Sequence, residues 1–139
     1  MRDAYEAAAR EAVSAHGGRL LSPGQTSVLA AFDGPARAIR CGSALRDRVT
    51  ALGIRLRLGI HCGEVDVLDD TVSGIAVDIA TRLAALARPG EVLTTRTVKD
   101  LVAGSGISFT DRGTHHLPDI PGQWPLLAVA DGHPGAALT

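Results

Sequence analysis

Residues 74–101, GIAVDIATRLAALARPGEVLTTRTVKDL, are the most informative part of the sequence for the fold. Its first half repeats apolar residues at helical spacing, which predicts an amphipathic helix over about 74–87. The apolar positions are Ala76, Ile79, Ala80, Leu83, Leu86 and Ala87. Pro89-Gly90 ends the helix, a short apolar run at 92–94 predicts a strand, and a short helix follows over about 96–103. Helix and strand alternate here, as expected of a mixed α and β domain.

The same reasoning extends to the rest of the chain. The upstream elements expected are a helix over 3–16, a hairpin of strands at 20–21 and 27–32, a helix over 35–53, a strand over 55–62 and a strand segment over 64–67 before a turn at Asp69-Asp70. A hairpin of strands over 107–117 and 123–129 is expected downstream. The pattern predicts one α+β domain over 1–130, with helices packed on one face of an antiparallel-rich sheet, and a disordered tail at 131–139.

Composition limits the classes of function. The 139 residues allow one domain, and 45% hydrophobic with 21% charged residues is a globular composition. Aromatic residues are only 3%, so the core should consist of Ala, Val, Leu and Ile. A net charge of -1 disfavours nucleic acid and anionic membrane surfaces as partners. Thirteen of the basic residues are arginines, so any mechanism that needs a lysine has to use Lys99.

The first residues and the two cysteines are both typical of a cytoplasmic protein. Residues 1–13, MRDAYEAAAREAV, lack the apolar run of a secretion signal, and no segment is as long and apolar as a membrane span. We therefore expect a cytoplasmic protein. Cys41 and Cys62 are too few for a disulfide framework or a common zinc site, and buried thiols are the favoured interpretation.

Four groups of residues are candidates for chemistry. Neighbours on a strand point to opposite faces, so His61-Cys62 and His115-His116 are poorly placed to share a metal. The acidic residues between Glu64 and Asp70 could bind Mg²⁺ or Ca²⁺, although a solvated hairpin tip is favoured. Asp78 and Arg82 share a helix face, where their spacing alone favours a surface ion pair.

Four segments together resemble the class III nucleotide cyclase catalytic domain in its bacterial form. They are FDGPARAIRCGSALRDRV at 32–49, RLGIHCGEV at 57–65, the stretch 74–101 quoted above, and DRGTHHLPDIPGQWPLLAV at 111–129. With the hairpin region they cover most of residues 17–129. The resemblance implies a ferredoxin-like α+β core whose subunits pair head to tail, with active sites across the dimer interface.

The resemblance also implies an activity. Family members convert a nucleoside triphosphate into a cyclic monophosphate and pyrophosphate, using two metal ions held by two aspartates. An asparagine and an arginine from the partner subunit orient the ribose and stabilise the transition state. A lysine and an aspartate or threonine read adenine.

The family's roles transfer unevenly to this chain. Arg82 matches the transition-state arginine, whereas Asp78 stands at the asparagine position and would repel a triphosphate. Thr71 stands at a base-reading position and keeps a hydroxyl that could contact adenine. Ser22 stands at the adenine-lysine position, and Thr26 stands at the second metal aspartate without its charge.

Two further positions of the family pattern differ. The family's frequent Lys-Gly after the late strand reads Pro118-Asp119, and the strand with the first metal aspartate is expected to be missing, because the chain starts in the following helix. No metal site and no cofactor are expected for this chain, and Mg²⁺ or Mn²⁺ would be needed only if it is active.

The sequence therefore predicts a degenerate cyclase domain of cyclic-nucleotide signalling, catalytically impaired and acting as a dimerisation or regulatory module. The expected partners are a second copy or another cyclase domain, with ATP as the candidate small molecule and neither nucleic acid nor membrane. A divergent active adenylate cyclase and a vestigial fragment remain as alternatives.

Overall fold

A computed structural model describes residues 2–21, 29–63, 66–68 and 71–130 of the chain. The helices are α1 (Arg2–Ala15), α2 (Pro35–Thr50), α3 (Ile75–Leu86) and α4 (Arg96–Leu101). The strands are β1 (Arg19–Leu21), β2 (Leu29–Ala31), β3 (Leu58–Ile60), β4 (Asp66–Leu68), β5 (Thr71–Ser73), β6 (Val92–Thr95), β7 (Phe109–Leu117) and β8 (Ile120–Val129). No helix in these ranges has the length and apolar character needed to cross a membrane. The predicted tail at 131–139 lies outside the described residues.

The strands form three sheets within the described ranges. The largest has the order β3-β6-β8-β7, with β3 parallel to β6 and the other neighbours antiparallel. The predicted upstream hairpin is present as the antiparallel pair β1 and β2. β4 pairs with β5, a strand that the sequence analysis missed. An α+β fold with an antiparallel-rich sheet is confirmed.

The strand predicted from Arg55 is shorter than expected. Leu56 packs instead with the α1 and α2 core, and its carbonyl accepts a hydrogen bond of 2.7 Å from the Gly90 N–H. The ladder with β6 begins only at Leu58, which is paired with Val92. The segment before Leu58 therefore connects a core of helices to the sheet.

Helices cover both faces of β3, so the expectation that they lie on one face is wrong for α3. A Cβ at Gly42 of α2 would lie 3.0 Å from Leu58 Cδ2, on the side that Leu58 shares with Ile60. The opposite side belongs to Gly59, where a Cβ would lie 2.7 Å from Leu83 Cβ of α3. Glycine at this position lets the backbones of β3 and α3 approach closely.

The core consists of small aliphatic side chains, as the composition predicted. One cluster joins α3 to β6 and β8, a second joins α1 to α2 and the β1–β2 hairpin, and a third joins α2 to α4 and β3. Cys41 is a buried free thiol whose pKa is raised by burial, and Cys62 is half-buried. Trp124 packs at the edge of the α3 cluster.

A largely buried ion pair fastens the turn before β6 to β7. Arg112 donates to both carboxylate oxygens of Glu91, at 2.6 Å from Nε and 3.1 Å from Nη2. The backbone N–H of Arg88 donates to the same carboxylate at 2.9 Å. Burial raises the pKa of Glu91, but the hydrogen bonds and the positive charges of both arginines outweigh it and lower that pKa below its usual value.

Candidate functional site

Helix α3 carries two of the predicted site residues. It begins after Gly74, whose φ of 127° is a backbone conformation that side chains disfavour, at the corner that follows β5. Its buried residues, Ala76, Ile79 and Leu83, face the core. Asp78 and Arg82 lie on the exposed side, and Asp78 is in the first turn, where the helix dipole favours a carboxylate. The fold thus presents both side chains to solvent.

The ion pair predicted between Asp78 and Arg82 is wrong, because Arg82 contacts a different carboxylate. Arg82 Nη2 lies 3.3 Å from Asp119 Oδ2, at the tip of the hairpin that joins β7 to β8. Asp119 is 88% exposed and Arg82 41% exposed, so the pair contributes at most about 1 kcal/mol to stability. This contact places a carboxylate against one nitrogen of the Arg82 guanidinium.

Asp119 is the site residue that the sequence analysis passed over. It has a φ of 64°, which a non-glycine residue adopts at few positions, and this turn carries its carboxylate to α3. The available signal was the replacement of the family's Lys-Gly by Pro118-Asp119. Nothing in the spacing of Arg82 and Asp119, 37 residues apart, could have indicated the contact.

The remaining predicted site residues are only partly placed. Thr71 is the first residue of β5 and pairs with Leu68, and β5 packs against α3, but the side chain of Thr71 lies outside the description. Ser22 and Thr26 belong to the connection between β1 and β2, outside the described residues. The structure therefore brings Arg82 together with Asp119, and it leaves the positions of Ser22 and Thr26 untested.

Metal-ligand chemistry has little support in the described part of the chain. No group of three or more His, Cys, Asp or Glu side chains is arranged there to hold a metal ion. Of the acidic stretch proposed as an alternative site, Glu64, Asp69 and Asp70 lie outside the description.

His61 is held by contacts with Thr95 and Trp124. Its Nδ1 is hydrogen-bonded to Thr95 Oγ1 at 2.8 Å, and its ring meets the Trp124 ring edge-on at 5.9 Å between centroids. Burial lowers the pKa of His61, which favours the neutral imidazole at pH 7. A shallow pocket of about 370 Å³ lies beside this group, lined by Thr95 to Thr97 and by residues 121–125. Its lining does not include Asp78, Arg82 or Asp119.

The fold matches known nucleotide cyclase structures. The adenylyl cyclase CyaB of P. aeruginosa superposes with a TM-score of 0.80 at 20% identity, over 94% of this chain and 80% of that one. An adenylate/guanylate cyclase/hydrolase of Silicibacter pomeroyi superposes with a TM-score of 0.78 at 23% identity, over 88% of this chain and 78% of that one. At these identities the likeness establishes the fold alone.

Sequence relatives point the same way. "Putative adenylate cyclase 3" of Rhizobium meliloti is 32% identical over 117 residues, which are 78% of this chain and 20% of that protein. "Uncharacterized protein Rv0891c" of Mycobacterium tuberculosis is 32% identical over 92% of this chain. The chain spans about half the length of the mycobacterial protein and a fifth of the Rhizobium protein. No protein-family model matches the sequence. This chain therefore has the fold of the class III adenylate and guanylate cyclase domains, and its sequence is similar to a fifth of a putative adenylate cyclase.

Proposed function

We propose that this chain is a catalytically impaired cyclase domain of cyclic-nucleotide signalling, which acts by dimerisation with itself or with another cyclase domain. The observation that carries the proposal is the surroundings of Arg82. This residue stands at the transition-state arginine position, yet its guanidinium contacts Asp119 and lies one helical turn from Asp78. The Asp119 carboxylate at the cation and the negative charge of Asp78 one helical turn away both oppose the approach of a triphosphate, which is the substrate charge that the arginine would have to bind.

The donor set does not fit a two-metal site. Thr26 stands where the family has its second metal aspartate, and a neutral hydroxyl does not replace a carboxylate as a ligand for Mg²⁺ or Mn²⁺. Metal ions supply most of the charge stabilisation in this kind of phosphoryl chemistry, so weak metal binding supports a loss of turnover. We derive no catalytic step through a metal for this chain.

The first experiment measures cyclic AMP formed from ATP with Mn²⁺. We expect the unmodified chain to stay at the background of a protein-free control. Manganese-dependent turnover that is lost in Arg82→Ala would overturn the proposal, because it would assign the activity to this chain and not to a contaminant. A variant that combines Ser22→Lys, Thr26→Asp and Asp78→Asn measures how far the family's residues restore turnover.

The second experiment tests a regulatory role. An active cyclase whose own transition-state arginine has been removed is mixed with this chain, which would supply Arg82 to a shared site. We expect turnover to return, to increase with Asp119→Ala and to disappear with Arg82→Ala. Failure to restore turnover over a range of concentrations would leave dimerisation without a catalytic contribution.

A divergent active adenylate cyclase is the second candidate function. It is favoured by the 32% identity to a fifth of the Rhizobium protein, whose name is "Putative adenylate cyclase 3". The ATP assay separates the two candidates directly. We place either role in the cytoplasm because Cys41 and Cys62 are free thiols, as is usual in a reducing compartment.

A further inference from the structure

The pocket beside His61 is a candidate ligand site with its own lining. Its volume of about 370 Å³ is within the range of small-molecule sites. The lining comes from the end of β6, the first turn of α4 and the first half of β8, and its residues are Thr95, Arg96, Thr97 and 121–125. None of them contacts Arg82, whose carboxylate partner is Asp119. The pocket is therefore a different place on the molecule from the site of Arg82.

Arg96 gives this pocket a positive charge that is not neutralised within the described ranges of the chain. Its guanidinium has neither an ion pair nor a hydrogen bond there, although Asp100 lies four residues further along α4. The described lining contains no Asp or Glu. The hydroxyl of Thr97 and the amide of Gln123 also lack a hydrogen-bond partner among the residues that the structure describes. The pocket thus offers one cation and several hydrogen-bonding groups to a ligand.

Trp124 forms a fixed aromatic wall of the pocket. Its Nε1 donates to the carbonyl of Pro121 at 3.1 Å, and it packs against the buried α3 cluster. The edge-on contact with His61 holds the indole from another side, and His61 is itself hydrogen-bonded to Thr95, which is 1% exposed. Because the indole is held in place without a ligand, little order has to be gained when a ligand binds.

The chemistry of the lining favours one class of ligand. Metal ions such as Mg²⁺ and Ca²⁺ take carboxylate oxygens, which the described lining does not supply. A free phosphate could bind the guanidinium but would leave the indole unused. An aromatic carboxylate uses both, because a guanidinium binds a carboxylate through two parallel hydrogen bonds and aromatic rings pack on one another.

We propose that the pocket between α4 and β8 binds a small aromatic carboxylate. Arg96 and Thr97 hold the carboxylate group, and Trp124 packs against the ring. The inference goes beyond the proposed function and does not depend on it, because the pocket shares no residue with the contact between Arg82 and Asp119.

Tryptophan fluorescence tests the site directly, because Trp124 is the only tryptophan of the chain. Benzoate is the probe, benzamide has the same ring without the charge, and acetate has the charge without the ring. We expect benzoate to change the emission of Trp124 to a saturating value. We expect benzamide and acetate each to bind at least about tenfold more weakly, because each lacks one of the two contacts.

Substitutions in α4 assign the charge to one residue. Arg96→Gln should raise the dissociation constant for benzoate at least about tenfold, through loss of a charge-assisted hydrogen bond. Lys99→Gln is the matched control, because it removes a cation from the exposed surface of the same helix outside the lining and should leave the dissociation constant unchanged. Thr97→Val should raise it about threefold. Circular dichroism verifies that each variant is folded.

Three results would overturn the site. They are an emission that does not saturate with benzoate, equal affinities for benzoate and benzamide, and an Arg96→Gln variant that binds benzoate like the unmodified chain. Equal losses in Arg96→Gln and Lys99→Gln would also overturn it, since they would indicate only the overall charge of the surface. All of these outcomes are independent of the ATP assay, which tests Arg82.

Discussion

The buried side and the exposed side of α3 differ in how closely they match the cyclase family. The buried stripe of Ala76, Ile79 and Leu83 packs so closely on the sheet that β3 has room only for Gly59 beneath it. The exposed side carries Arg82 and Asp78, which the resemblance sets at the family's arginine and asparagine positions. One helix thus has the packing of the cyclase fold, while we propose that its solvent side no longer forms a cyclase site. Fold and activity are separable because they depend on different sides of the same element.

The largest effect is expected from truncating the buried stripe. Leu83 is fully buried, so Leu83→Ala should lower the free energy of unfolding by about 3 kcal/mol through lost burial and a cavity. Leu86→Ala is the matched control, because it is the same change on the exposed side of α3 and should cost under about 1 kcal/mol. Urea unfolding at a low protein concentration measures both. Equal losses would contradict the division of α3 into a buried and an exposed side.

Adding a methyl group beneath α3 is expected to be the next largest effect. In Gly59→Ala the new Cβ would lie closer to α3 than real Cβ atoms approach, against backbone atoms of Ala80 and Ala84 that have little freedom to move. Overpacking of this kind should cost about 2 kcal/mol. Gly34→Ala is the control, since a Cβ there meets nothing within 4 Å. Thermal unfolding that is unchanged in Gly59→Ala would refute the close approach of β3 and α3.

The Glu91 and Arg112 pair predicts a pH dependence. The pKa of Glu91 is lower in the folded chain than its usual value of 4.5, so folding favours the ionised carboxylate. This stabilisation is present above that usual value and is lost as the pH falls through the folded pKa. Glu91→Gln should cost about 1.5 kcal/mol at pH 7 and should flatten the loss of stability at acid pH. A variant that keeps the acid dependence of the unmodified chain would contradict the assignment.

The smallest effect is expected at the hairpin tip. Asp119→Asn removes an exposed charge from Arg82 and should change the free energy of unfolding by less than about 0.5 kcal/mol. The contact matters for the availability of Arg82 and not for stability. A large destabilisation in urea unfolding would mean that the contact is a structural element of the fold.

Periodicity predicted the helices and the long hairpin because those features are local. An apolar stripe and a flanking glycine or proline indicate both α2 and α3 in the sequence. The observed ends of both helices lie within a few residues of the predicted ends. β5 was missed because three residues are too few to establish an alternation. The side of the sheet on which α3 packs could not be predicted from the helix alone. It depends on Gly59, which lies in β3 and not in the helical pattern.

The candidate site was less accessible to sequence reasoning. Spacing on the helix suggested that Arg82 pairs with Asp78, but a backbone turn at Asp119 supplied a competing carboxylate from 37 residues away. Position matching could assign Arg82 and Asp78 to family roles, since both lie in a specific motif. It could not indicate what surrounds them, because that depends on tertiary structure.

We propose that the cyclase fold persists here without cyclase turnover. The most direct measurement is the rate of cyclic nucleotide formation by the purified unmodified chain, supplied with ATP or GTP and with Mg²⁺ or Mn²⁺. We expect a rate equal to that of Arg82→Ala under every condition. A metal-dependent rate that exceeds that of Arg82→Ala would contradict it.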